Sequence, residues 1–88
     1  MQKYKLKLSK NVIKFLVKNE KLSSLFYKQI LVLIENPFNN NLDIKILKWY
    51  KNKYRLRIWK FRFLYEIYND ELIVYFFDAG NRWDIYKN

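Results

Sequence analysis

Tyr4, Leu6 and Leu8 alternate with Lys5, Lys7 and Ser9. That period of two predicts a half-buried strand. Ser9 then suits the N-cap of a helix from Lys10 to about Glu20, with Val12, Phe15, Leu16 and Asn19 on one stripe. Leu22, Leu25, Phe26, Ile30, Leu33 and Ile34 follow a period near 3.6 and predict a second helix, with Ser23 or Ser24 serving its start. Asn36-Pro37 closes it, because the residue before proline avoids the α region. Two helices with so little between them predict an αα-hairpin.

Asn39, Asn40 and Asn41 form a polar loop, and the pattern from Leu42 to Lys53 fixes no conformation. Alternation resumes at Tyr54, where Tyr54, Leu56 and Ile58 face away from Arg55, Arg57 and Trp59. A tight turn near Trp59-Lys60 leads into Phe61 to Tyr68, and a two-residue turn at Asn69-Asp70 leads into Glu71 to Phe77. Asp84 to Tyr86 is a candidate short terminal strand. The expected fold is α+β, in the order β-α-α-β-β-β. An antiparallel sheet carries the αα-hairpin on one face and leaves the other open.

Composition changes this picture in three ways. Its 88 residues suit one domain, 1–88, whose core must be efficient; seven Phe, eight Tyr and three Trp supply it. The absence of Cys and His removes disulfides, thiolate chemistry and the commonest proton shuttle and metal ligand. No cofactor is implied. The first residues lack the apolar core of a signal peptide, and Ile30 to Ile34 is far too short to span a membrane, so a cytoplasmic protein is expected.

The net charge of +10 is concentrated. Lys45, Lys48, Lys51, Lys53, Arg55, Arg57, Lys60 and Arg62 fall in one stretch without an acidic residue. Such a field attracts phosphate backbones or an acidic protein, or is only a solvated face. Fourteen cations are lysine and four are arginine: Arg55, Arg57, Arg62 and Arg82. Arginine's planar fork binds phosphate oxygens in pairs, whereas lysine acts as a point charge. Arg55 and Arg57 share a strand face, and a tight hairpin brings Arg62 beside them. Tyr86 is either a stacking platform or a core plug, and the same choice is open for Trp49 and Trp59.

The ordered set Tyr54-Arg55-Leu56-Arg57, Phe61 to Ile67, Gly80-Asn81-Arg82 and Tyr86 resembles the RelE/ParE superfamily of bacterial toxins. The resemblance also covers the first strand, the αα-hairpin and Asn36-Pro37. It implies the toxin half of a type II toxin–antitoxin pair. In the RelE-like branch that means a metal-independent endoribonuclease, or mRNA interferase, which cuts messenger RNA in the ribosomal A site and leaves a 2′,3′-cyclic phosphate. By position it implies catalytic roles for Arg55, Arg57, Arg62, Arg82 and Tyr86, with Lys45, Lys48, Lys51, Lys53 and Lys60 binding RNA. It also implies a cognate antitoxin that masks the basic surface or the αα-hairpin. RelE has lysines at the paired positions, and this chain has arginines, which do not readily accept a proton. Lys53 or Lys60, if desolvated, is then the candidate base. A ParE-like gyrase poison and a non-catalytic nucleic-acid binder are the alternative readings.

Overall fold

Ser9 ends one element and starts the next. Its Oγ accepts from Val12 N (3.3 Å) and so caps helix α1 (Lys10–Val17), which follows strand β1 (Lys5–Leu8). The same hydroxyl donates to Phe77 O (3.1 Å), tying the junction to the strand that pairs with β1. The computed structural model describes residues 3–81. Helix α1 is shorter than the periodicity predicts. Asn19 leaves the helix, and its Nδ2 donates to Phe15 O (2.7 Å), covering a carbonyl that the helix end exposes. Helix α2 (Glu20–Glu35) starts at once, ahead of Ser23 and Ser24, and stops at Asn36 as expected.

The remaining elements are β2 (Ile44–Ile46), β3 (Lys53–Ile58), β4 (Phe61–Tyr68) and β5 (Ile73–Gly80). The sheet has five strands in the order β1-β5-β4-β3-β2. From β2 to β5 it is an antiparallel meander, and β1 adds in parallel beside β5. The sheet is therefore mixed, with one strand more among the described residues than the sequence pattern predicts. The parallel pair follows from the αα-hairpin, which spans enough chain to carry it across the sheet. The candidate strand at Asp84 to Tyr86 lies outside the described residues.

Both turns place a residue other than glycine in the left-handed region. Trp59 occupies the left-handed region (φ 56°) in the two-residue turn that joins Ile58 to Phe61. The link from Tyr68 to Ile73 holds four residues rather than two, and Leu72 (φ 54°) makes the left-handed step. Leu64 pairs with Asp78 while Tyr65 pairs with Phe76, so Phe77 is an extra residue on β5. This bulge frees the Phe77 carbonyl that Ser9 uses.

The core lies between the helices and one sheet face. Val12, Leu16, Leu22, Phe26, Ile30 and Leu33 from the helices meet Leu56, Ile58, Phe63, Tyr65, Ile67, Val74 and Phe76. Its centre is aromatic: Phe26 lies 4.6 Å from Phe63 and 5.2 Å from Phe76 by ring centroid. Such pairs contribute roughly 0.5–1.5 kcal/mol each beyond their buried area.

Tyr65 is fully buried, and its hydroxyl has no hydrogen-bond partner among the described residues. Burial pushes its pKa above the ordinary 10.0. The fold holds the phenol neutral, whereas the unfolded chain ionises at the ordinary value. This contribution to stability is intact below about pH 10 and is lost as pH rises further. Tyr65→Phe is expected to raise stability at neutral pH by about 1 kcal/mol, because an unpaired buried hydroxyl is costly. It should also flatten the alkaline decline, as denaturant titrations at neutral pH and above pH 10 will show.

Candidate nucleic-acid interface

The sheet face away from the helices is the candidate site, and its register places the cations in rows. Arg57 of β3 stands directly opposite Arg62 of β4, and Arg62 stands opposite Gly80 of β5. Like charges facing each other across strands are destabilising. The row ends on Gly80, a residue without a side chain. The adjacent row runs Lys45, Arg55, Leu64, Asp78, and the next runs Lys53, Glu66, Tyr75, Lys7.

The structure brings Arg55, Arg57 and Arg62 to one face, as their spacing predicts, and separates their roles. Arg55 is buried, with 7% of its surface exposed. Its Nη2 donates to Asp43 Oδ1 (2.7 Å), and its Nε has no partner among the described residues. Arg57 is exposed and donates through Nε to the other oxygen, Asp43 Oδ2 (2.8 Å). One carboxylate thus clamps both guanidinium groups. The terminal nitrogens of Arg57 make no hydrogen bond among the described residues. Arg62 is half-buried, and its Nη1 donates to Lys60 O (3.2 Å). The Arg55 guanidinium lies beneath the surface and is engaged by Asp43. Arg57 and Arg62 are more accessible to solvent than Arg55.

Asp43 is the residue that the sequence pattern did not single out. It precedes β2, whose pairing sets Lys45 against Arg55. Two residues earlier, Asp43 falls beside Arg57, and Arg57 N donates to Asp43 O (2.9 Å). Recognising the short strand β2 is what would have revealed this contact.

The lysines divide as well. Lys45, Lys48, Lys51 and Lys60 are exposed. Lys53 is half-buried, 3.5 Å from Glu66 Oε2, with its Nζ 4.6 Å from the Tyr50 ring centroid and 5.4 Å from that of Phe77. Of the two candidate bases, Lys60 stands in solvent at the turn, and Lys53 is held by Glu66 and two ring faces. Arg82 and Tyr86 lie outside the described residues. Among the described residues, no three acidic side chains cluster as a metal site requires, and no helix is long and apolar enough to cross a membrane.

A small α+β domain that bares an arginine row on its open sheet face is the class defined by this geometry. More particularly, the fold is that of the RelE toxins. A chain of the RelE–RelB complex from Pyrococcus horikoshii superposes with a TM-score of 0.80 at 20% identity, covering 93% of this chain and 98% of that one. A chain of the RelB–RelE antitoxin–toxin complex from Methanococcus jannaschii gives 0.69 at 28% identity, covering 92% and 95%. The isolated RelE toxin of E. coli gives 0.75 at 17% identity, covering 96% and 92%. No family model matches the sequence, and no curated protein matches it significantly.

Proposed function

We propose that this chain is the toxin of a type II toxin–antitoxin pair and cleaves messenger RNA on the ribosome. The observation that carries the reading is the Arg57–Arg62–Gly80 row, an unfavourable pairing of like charges on a fold shared with RelE. In the reaction the ribose 2′-hydroxyl attacks the adjacent phosphorus, and the bond to the 5′-oxygen breaks. The products are a 2′,3′-cyclic phosphate and a 5′-hydroxyl. The phosphorane passed on the way carries one more negative charge than the ground state. Two fixed guanidinium groups stabilise that extra charge more than they stabilise the substrate.

Each residue takes a definite part. Arg57 and Arg62 bind the scissile phosphate. Arg55 and Asp43 are positioning residues that fix Arg57 through its Nε and leave its terminal nitrogens for the substrate. Arg82 adds a further cation, and Tyr86 stacks on a base to hold the attacking oxygen in line. Lys45, Lys48, Lys51, Lys53 and Lys60 supply the field that draws RNA in. The partner is an antitoxin with an acidic segment over the arginine row, because an unmasked toxin arrests its own cell. Solved relatives of the fold come from RelB complexes, which supports that expectation. Co-expression with the adjacent reading frame is expected to yield a complex whose partner is acidic.

Primer extension on messages from cells expressing the chain tests this reading. Cuts at codon positions are expected; intact messages during growth arrest would sink it. The solvated Lys60 and the engaged Lys53 favour a second reading, a ParE-like gyrase poison, which needs no proton acceptor. Accumulation of gyrase–DNA cleavage complexes would select that reading.

A further inference from the structure

Residues 47–52 join β2 to β3 and form a pinned loop. Leu47 N donates to Lys53 O (2.9 Å), Tyr50 N to Leu47 O (3.1 Å), and Ile67 N to Asn52 O (3.1 Å). On this anchored support Trp49 is 89% exposed, more than any other large hydrophobic residue described. A small domain that places half of its described rings in or against one core leaves this indole in water. Single exposed apolar residues are ordinary. Trp49 is not single: Ile46 and Tyr50 beside it are also exposed, at 66% and 47%.

The neighbours identify what the ring is for. Lys45, Lys48 and Lys51 are exposed around it, and no acidic residue occurs between Asp43 and Glu66. Protein interfaces are depleted in lysine, whereas single-stranded nucleic-acid sites combine lysine with exposed rings. The loop also continues the arginine face. It leads directly into Lys53, and four residues of strand, about 13 Å, separate Lys53 from Arg57.

We propose that Trp49 is a stacking platform for one unpaired nucleotide of single-stranded RNA, with Lys48 and Lys51 on the flanking phosphates. The inference takes its ligand class from the proposed function and does not depend on cleavage. The stacked base sits along the sheet from Arg57 and Arg62, so Trp49 holds the strand while the arginines address the phosphate. It is a binding residue, not a catalytic one.

The test uses the full chain with Trp59→Phe and Trp83→Phe, which leaves Trp49 as the sole indole. Titration with a short oligouridine is expected to quench its fluorescence saturably. In the otherwise unchanged chain, Trp49→Ala should weaken oligouridine binding, read by anisotropy, roughly 5- to 150-fold, with Trp49→Phe restoring most of it. Lys48→Ala and Lys51→Ala should each lower the slope of log Kd against log salt by about 0.7. An unchanged Kd for Trp49→Ala, or equal quenching by polyglutamate, overturns the proposal. The latter would mean that the loop takes an acidic protein. Saturable quenching without message cleavage in cells removes the nuclease reading alone. Cleavage without any quenching removes the stacking platform alone.

Discussion

Asp43→Ala is expected to lower the unfolding free energy by about 2–3 kcal/mol. The reason is asymmetry of burial. Arg55 has 8% of its side chain exposed, whereas Asp43 has 42%. Removing the carboxylate strands a guanidinium whose Nε already has no partner among the described residues. Breaking a fully buried pair costs roughly 3–5 kcal/mol, and water reaching Asp43 reduces that figure. Asp43→Ala combined with Arg55→Leu should recover most of the loss, since the cation that needed neutralising is gone. The exposed arm behaves differently: Arg57→Ala should shift stability by about 0.5 kcal/mol or less. Denaturant midpoints of the four proteins form the comparison. If Asp43→Ala cost no more than Arg57→Ala, the buried Arg55 would not be the reason for the clamp.

Arg62→Thr is expected to separate function from stability. It removes one of two facing cations and keeps a residue suited to a strand. Relief of the repulsion should raise stability by roughly 0.2–1 kcal/mol. Cleavage should fall about 10²–10³-fold, the usual loss for one donor to a developing oxyanion. Arg57→Ala should cause a similar fall. A gain in stability with a loss of activity is the mark of a residue kept for chemistry. Thermal melts and single-turnover cleavage on ribosomes are the two measurements.

The helices were readable because their apolar periods were long. Leu22, Phe26, Ile30 and Leu33 hold one face through about three turns, and each is buried. The same clarity applied to β3 and β4, where alternation placed Leu56 and Ile58 inward and Arg57 outward. Strand β2 was not readable. Three residues give no period, and Ile46 is exposed although apolar. That one omission concealed Asp43, because the acid gains meaning only when β2 is paired with β3. The parallel placement of β1 was hidden as well, being a property of topology rather than of local pattern. Asn69-Asp70 looked like a two-residue turn, yet the left-handed residue is Leu72, a choice that local preference does not favour. Arg55 shows the limit of face assignment. Its side was predicted correctly, but burial on that side depends on neighbours from other strands, Leu64 among them.

Under the proposed function, the clamp gives the paired arginines a division of labour. A guanidinium has enough donors to satisfy a carboxylate and a phosphate together. Arg57 uses Nε for the first and retains its terminal nitrogens for the second. A lysine ammonium held by Asp43 would be a point charge without that geometric division.

The central claim is that the Arg57–Arg62 row acts on RNA presented by the ribosome. The direct measurement is cleavage of a defined message by the purified chain, with and without programmed ribosomes, followed by analysis of the new ends. The account predicts cuts only when ribosomes are present, ending in a 2′,3′-cyclic phosphate and a 5′-hydroxyl, and lost in Arg57→Ala and Arg62→Thr. An intact message on programmed ribosomes, from a chain that still arrests growth, would contradict it.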